Sequence, residues 1–245
     1  MIRFDETTFG TLNADAYDQL HDPGTTDESV ALISELAGAG RILELAIGTG
    51  RMALPLAARG HDVSGIEGSP EMIAQLRAKP GGAALFVVQG DMADVAIDGP
   101  FDFAFLVFNT LFNLPDQESQ IRLFANMARK LAPGGQFLVE AFVPEFSGFS
   151  NHQRLATKSL GMETLCIEAV QHDPVQQTLH FQRAHINNTG TRLVPLPLRY
   201  AYPAEIDLMA RLAGLTLQAR WGGWHRQEFT AESKMHVSLY KKADS

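Results

Sequence analysis

The chain has 245 residues, 45% of them hydrophobic and 20% charged, and a formal net charge of -8. That supplies enough apolar material for a sizeable core, while the acidic balance and the lack of any lysine/arginine run argue against a nucleic-acid backbone as partner. The single Cys166 excludes an internal disulfide framework, no apolar run reaches membrane-spanning length, and residues 1–5 do not open a signal peptide, so the expectation is a cytoplasmic protein without membrane contact.

Residues 13–20 suit a short helix that stops near His21-Asp22-Pro23-Gly24. Asp27 is placed to cap a helix to about Gly38, with Val30, Ile33 and Leu36 at helical spacing. From there the pattern alternates. Residues 41–45 read as an apolar strand, followed by a glycine turn and a helix over 51–58. Residues 62–66 are a strand ending at Glu67. Ser69, Pro70 and Glu71 then mark a helix start, as N-cap, first-turn proline and dipole-complementing acid. Strands follow at 84–89 and 101–108, a helix at 116–131, a stop at Pro133-Gly134-Gly135, and a strand at 136–142. Strands alternating with helices imply a doubly wound α/β unit with a parallel sheet over residues 28–143.

After Pro144 the pattern changes. Residues 144–158 show no period, and runs at 163–171, 178–187 and 192–202 read as a three-stranded antiparallel meander with turns at Asp173-Pro174 and Asn188-Thr189-Gly190. A helix at 204–213 and strands at 215–221 and 236–241 close the chain. The expected organisation is an N-terminal lid segment (1–27), an α/β core (28–143), a β-meander insertion or cap (144–202), able to cover the site or to form a dimer interface, and a C-terminal helix with the last strands of the core sheet (203–245).

In open α/β sheets ligands bind beyond the carboxyl ends of the strands. The first strand offers Glu44 and the turn Ala46-Ile47-Gly48-Thr49-Gly50-Arg51; the second offers Glu67, Gly68 and Ser69, with Met72 behind. The third offers Gly90, Asp91 and Met92, the fourth Phe108 and Asn109, the fifth Glu140. An acid about 20 residues past a glycine turn is where ribose hydroxyls are taken. Asp91 suits an adenine amino group, with Met72 and Met92 over the ring faces. The spacing Gly48-x-Gly50-x-x-Ala53 also matches a dinucleotide fingerprint in form, so an NAD(P)-dependent oxidoreductase is an alternative. Against it, a pyrophosphate would lie beside Glu44, like charge against like. S-adenosylmethionine has no phosphate; its amino group suits Glu44 and its carboxylate suits free N–H groups or Arg51.

These motifs, with Leu131-Ala132-Pro133-Gly134-Gly135 before the fifth strand, resemble those of the class I S-adenosylmethionine-dependent methyltransferases over residues 28–143 and 203–241. The resemblance implies a Rossmann-like seven-stranded sheet of order 3-2-1-4-5-7-6 with strand 7 antiparallel, S-adenosylmethionine as cofactor and S-adenosylhomocysteine as product. Ala46 departs from it, standing where the family usually has glycine. The resemblance also places Tyr17 where a Tyr-Asp pair often closes over the cofactor. Phe108-Asn109-Thr110 lacks the signature of enzymes that methylate base or glutamine amino groups, which points to a small-molecule N or O acceptor of natural-product or amino-sugar type. A methyltransferase-fold protein without catalysis, acting as partner or sensor, is the third reading.

Methyl transfer is an in-line displacement that needs positioning, and a base only where the nucleophile carries a proton to lose. Candidate catalytic groups are Tyr17, Asn109, His152 and His225, with Asn113, Glu140 and Tyr200 as further groups able to reach a substrate. Each has a plainer reading: Tyr17 as a staple for its helix, His152 as a solvated loop residue, His225 as a histidine packed beside Trp221 and Trp224. His180 and His185 fall on opposite strand faces by parity, so no metal site is expected. Monomer and homodimer are both open.

Overall fold

The apolar strand expected after residue 40 is β1 (Ile42–Leu45), buried at every position, as a strand covered on both faces must be. The computed structural model that shows it describes residues 7–15, 17–20 and 23–244. The opening pentapeptide and the helix end expected at His21 and Asp22 lie outside the described residues. The helix expected over residues 13–20 is present only as α2 (Tyr17–Leu20); α1 (Thr8–Asn13) precedes it unforeseen, and α3 (Thr26–Ala37) follows. Asp27 lies in the first turn of α3, and Thr25 holds the cap position.

The alternation then runs through α4 (Ala53–Ala58), β2 (Val63–Glu67), α5 (Pro70–Ala78), β3 (Phe86–Gln89), β4 (Phe101–Leu106), α6 (Gln117–Lys130) and β5 (Leu131–Phe142). Caps behave as their residue types dictate. Ser69 Oγ accepts from Met72 N–H at 3.2 Å, and Asp116 Oδ1 accepts from Ser119 N–H at 2.7 Å; such caps contribute about 1 kcal/mol each. β4 stops two residues short of the expected strand because Phe108 and Asn109 both turn left-handed, at φ 63° and 61°.

Four strands, not three, make the insertion: β6 (Gln153–Leu160), β7 (Thr164–Asp173), β8 (Thr178–Asn187) and β9 (Gly190–Arg199). They pair antiparallel in sequence order. β6 has no readable period because its large apolar residues sit on the outer face, Leu155 at 73% and Leu160 at 79% exposure, so alternation there does not mark burial. After α7 (Pro203–Leu212), β10 (Leu215–Trp221) and β11 (Met235–Lys242) complete the main sheet, ordered β10-β11-β5-β4-β1-β2-β3, with β11 antiparallel to both neighbours. This is the order 3-2-1-4-5-7-6.

A buried polar knot fixes the second sheet over the main sheet. Arg199, at the end of β9, donates to Gln120 Oε1 of α6 at 2.6 Å and to Glu205 Oε1 of α7 at 2.5 Å; Gln120 Nε2 returns a bond to Arg199 O at 2.8 Å. Beside it Phe146 stacks on His172 with centroids 4.0 Å apart, and His172 Nε2 lies 3.0 Å from the Tyr200 hydroxyl. With Phe181 and Leu196 packed against the core that also holds β4, β5 and α6, the inner face of the second sheet is held above the carboxyl edge of the first.

Candidate functional site

A cavity of about 830 Å³ lies between these two surfaces. Its first wall is the carboxyl edge of the main sheet, with Tyr17, Ala46, Gly48, Glu67, Gly68, Met72, Gly90, Asp91, Met92, Phe108 and Asn109 contributing. Glu44, Gly50, Arg51 and Ser69 do not line it. Gly50 serves packing instead: a Cβ there would meet Leu76 Cδ1 at 2.3 Å, so this glycine lets the turn settle on α5. Ser69 is buried as the N-cap of α5, with Gly10 of α1 packed on it so closely that a Cβ on Gly10 would lie 2.1 Å from Ser69 Oγ. Gly48, at φ 57°, is uncrowded: a Cβ there would meet only Ala46 O, at 3.9 Å.

The acids at the strand ends divide by environment. Glu67 accepts from Gly48 N–H through Oε2 and from Ser69 N–H through Oε1, both at 2.9 Å, and thereby ties the glycine turn to the start of α5. Burial raises its pKa, with those N–H groups opposing the shift. Asp91 accepts from Ala93 N–H at 2.8 Å, and Arg122 stands 3.6 Å from its other oxygen. Glu44 differs. It is 4% exposed, and its Oε2 is fully enclosed with no hydrogen-bond partner. Burial pushes its pKa well above the usual carboxylate range, against the pull of Arg51 and the Ala53 N–H. An enclosed, unpartnered carboxylate oxygen is costly, and a cationic group is what would relieve it.

Glu140 is not a substrate-facing group. Its Oε2 accepts from Phe108 N–H, and so holds the left-handed turn after β4. Burial raises it to about 7, opposed by Phe108 N–H, Arg51 and Asn109 N–H. Asn109 spends its side-chain oxygen on the Phe142 N–H, at 2.6 Å, so its amide also serves the turn although the residue lines the cavity.

Tyr17, on α2, contributes to the cavity, and burial pushes its hydroxyl up to about 12, with Arg51 opposing and Glu67, Asp18 and Glu44 reinforcing. The neighbouring Asp18 latches this helix to the glycine turn: its Oδ1 accepts from Thr49 Oγ1 at 2.6 Å and its Oδ2 lies 2.5 Å from Lys79 Nζ. Arg51 lies over the Phe108 ring at 5.2 Å. His152 and His225 are placed elsewhere. His152 is exposed at the entrance to β6, its carbonyl accepting from His172 N–H, and His225 is exposed in the loop after β10, 3.9 Å from Glu28. Neither lines the cavity. Asn113 does; Tyr200 does not. Among the described residues no group of three or more metal-ligating side chains occurs, and no helix is long and apolar enough to cross a membrane.

The insertion was expected as a cap, but the residues of this second wall were not foreseen from the sequence. It is the inner face of the antiparallel sheet, carrying Arg154, Lys158, Glu168, Phe181, Arg183 and Leu196. Glu168 was readable in principle, as an acid two residues from Cys166 and two from Val170, all three inward on β7. Its partners come from other strands and were not.

The relationship to known proteins follows this geometry. Residues 42–135 match a methyltransferase domain family. The cypemycin N-terminal methyltransferase of a Streptomyces species is 31% identical over 195 residues, 79% of each chain. The solved structure of the CcbJ methyltransferase from Streptomyces caelestis shares 38% identity at a TM-score of 0.92, over 98% of this chain and 100% of that one.

The chain belongs to the class I S-adenosylmethionine-dependent methyltransferases.

An amino pentose methyltransferase from Micromonospora echinaspora, CalS10, solved with S-adenosylmethionine, matches at a TM-score of 0.70 over 99% of each chain; at 18% identity it shows the shared fold alone. As a methyltransferase of this class, the protein uses S-adenosylmethionine as methyl donor. The residues present fit that cofactor on one observation: the unpartnered Glu44 Oε2 behind the glycine turn would be relieved by a cationic group such as the amino group of S-adenosylmethionine, and not by a pyrophosphate. The oxidoreductase alternative is thereby set aside.

Proposed function

We propose that the protein methylates an amine nitrogen of a small molecule, with the two walls of the cavity divided between cofactor and acceptor. The observation that carries this reading is the enclosure itself. A cavity of about 830 Å³ roofed by the second sheet suits two small molecules side by side, and its roof stands over the strand ends where a polymer substrate would need open access.

Bound S-adenosylmethionine supplies an electrophilic methyl on a sulfonium. Glu44 would hold its amino group, Glu67 its ribose hydroxyls and Asp91 its adenine amino group, with Met72 and Met92 about the ring. Gly90 has open space beside its backbone and Gly48 only the Ala46 carbonyl at 3.9 Å, which leaves room for a ligand. Tyr17 would cover the donor and exclude water, the latch from Asp18 to Thr49 and Lys79 keeping α2 against the glycine turn.

Nitrogen is favoured because the carboxylates that line the cavity and the Tyr17 hydroxyl are already engaged, His180 and Lys158 being the other titratable groups on the acceptor side. Glu67 accepts from backbone amides, Asp91 from Ala93 N–H, and Glu168 from two arginines, while burial keeps the Tyr17 hydroxyl protonated. A neutral amine brings its own lone pair and releases a proton to water after transfer; a hydroxyl needs a base. One relative is named an N-terminal methyltransferase, and an amino terminus is an amine, which supports the same choice.

The test is a mass-spectrometric screen with S-adenosylmethionine over matched pairs of secondary amines and their hydroxyl analogues. Methylated amines are expected; methyl on hydroxyls alone would overturn the assignment. Cofactor binding without product anywhere would favour a sensor.

A further inference from the structure

The second wall carries charge that cofactor binding does not use. Glu168, on β7, is 2% exposed. Its Oε1 accepts from Arg154 of β6 at 3.1 Å, and its Oε2 from Arg183 of β8 at 2.8 Å. One arginine would neutralise one buried carboxylate. Here there are two, and Lys158 of β6 lines the same cavity, with no ion pair among the described residues. Three cations against one anion leave this wall at +2, in a chain whose net charge is -8.

The arrangement is also unfinished. Arg154 Nε is enclosed and has no hydrogen-bond partner. The guanidinium lies 5.5 Å from the centre of the Phe149 ring, which with Glu168 fixes its position. A donor held in place, stripped of water and left unpaired is costly, and an anion brought by a ligand would satisfy it. Guanidinium groups are suited to that task, since their donors fork toward the two oxygens of a carboxylate or phosphate. Glu168 then acts as the spacer that holds the two guanidinium groups apart, both of its oxygens being occupied; it is not a seat for a cationic amine.

We propose that Arg154, Arg183 and Lys158 form an anion subsite, so that the acceptor carries a carboxylate or phosphate away from its methyl-accepting atom. This rests on the methyl-transfer reading for the word acceptor, but the subsite is tested without it. The charges would orient the acceptor, anion toward the second sheet and nucleophile toward the strand ends, and would steer an anionic molecule into a protein that otherwise repels it.

The experiment is calorimetric titration of the S-adenosylhomocysteine-saturated protein, at low salt, with inorganic phosphate and, in a separate arm, succinate. Saturable binding is expected, weakened about fivefold by Lys158→Ala or Arg183→Gln, and tightened several-fold by Glu168→Gln, which removes the competing negative charge. Binding of both probes assigns an anion site; binding of one assigns the acceptor's group to that class. Failure of wild-type protein to bind either probe, or equal binding by wild type and all three variants, would overturn the proposal. Should Glu168→Gln or Arg183→Gln not fold, the exposed Lys158→Ala carries the comparison. If S-adenosylhomocysteine itself fails to bind, the cofactor assignment falls, and the same titrations on ligand-free protein still decide the subsite.

Discussion

The two walls of the cavity are built by different means. The carboxyl edge of the main sheet is made of backbone: left-handed turns at Ala46, Gly48, Phe108 and Asn109, with Glu67 and Glu140 accepting the N–H groups those turns expose. The inner face of the second sheet is made of side chains meeting across strands, Arg154 and Arg183 on Glu168. The first is a rigid receptor whose shape is set within short stretches of chain. The second can change its chemistry by a few substitutions while its strand pairing stays intact. A site of fixed shape beside one of adjustable charge suits a constant methyl donor and a variable acceptor.

That contrast is open to test by substitution. Gly48→Val should act most strongly. A β-branched residue at φ 57° is strained by about 1–2 kcal/mol, a cost to folding, and its side chain would occupy the space a donor needs beside the turn, a cost to binding. S-adenosylhomocysteine affinity is expected to fall about a thousandfold by calorimetry; near-normal affinity would show that the turn does not contact the donor.

Next comes Glu140, whose folded pKa of about 7 lies above its ordinary 4.5. The sign follows from proton uptake. The folded protein binds the extra proton, so this residue's cost is absent below pH ~4.5, grows as pH rises, and is full above pH ~7, reaching about 3 kcal/mol. Denaturant melts of wild type and Glu140→Gln should therefore diverge across that window, the variant losing Glu140's share of the slope. Parallel profiles would mean that Glu140 is less buried than its position under Phe108 implies.

Glu44→Gln is expected to weaken S-adenosylhomocysteine by about tenfold or somewhat more, the worth of one charged hydrogen bond. It should also raise the melting temperature of the ligand-free protein at neutral pH, because the raised pKa makes the carboxylate a liability without a ligand. Loss of both stability and affinity would point to a purely structural role. Asp18→Asn breaks a half-exposed contact with Lys79 and should cost only about threefold in cofactor affinity, less at high salt. Smallest of all, Arg183→Gln should leave S-adenosylhomocysteine affinity within about twofold while changing acceptor turnover. A large cofactor effect there would erase the division between the walls.

The sequence was most informative where structure is local. A glycine turn after an apolar strand, an acid at the next strand end and a Ser-Pro-Glu helix start are each decided within a few residues, and all stand in the structure. The sheet order followed from family resemblance, and the structure has it. Roles within the turn were harder to read. Gly50 looks like a ligand-facing glycine but makes room for Leu76, a residue 26 positions away. Ala46 looks like a defect until its φ of 53° shows why glycine is usual there. The second wall was hidden because β6 buries few of its apolar residues and because Glu168 meets its partners 14 and 15 positions along the chain on either side. Cross-strand pairing of that kind has no signature in a single strand.

One contact between the walls carries a further consequence. Arg192, on β9, reaches across to the N-terminal segment, donating to the Leu12 carbonyl and lying 3.2 Å from Asp15 Oδ1. A few residues on, Asp18 grips the glycine turn through Thr49 and Lys79. The same short segment is thus moored at both banks. A ligand that sets these moorings biases the site for the second, and thermodynamic reciprocity makes the coupling factor the same in both directions. The measurable sign is a donor affinity that rises when the acceptor is present, and a return to independence when Arg192 is replaced by alanine.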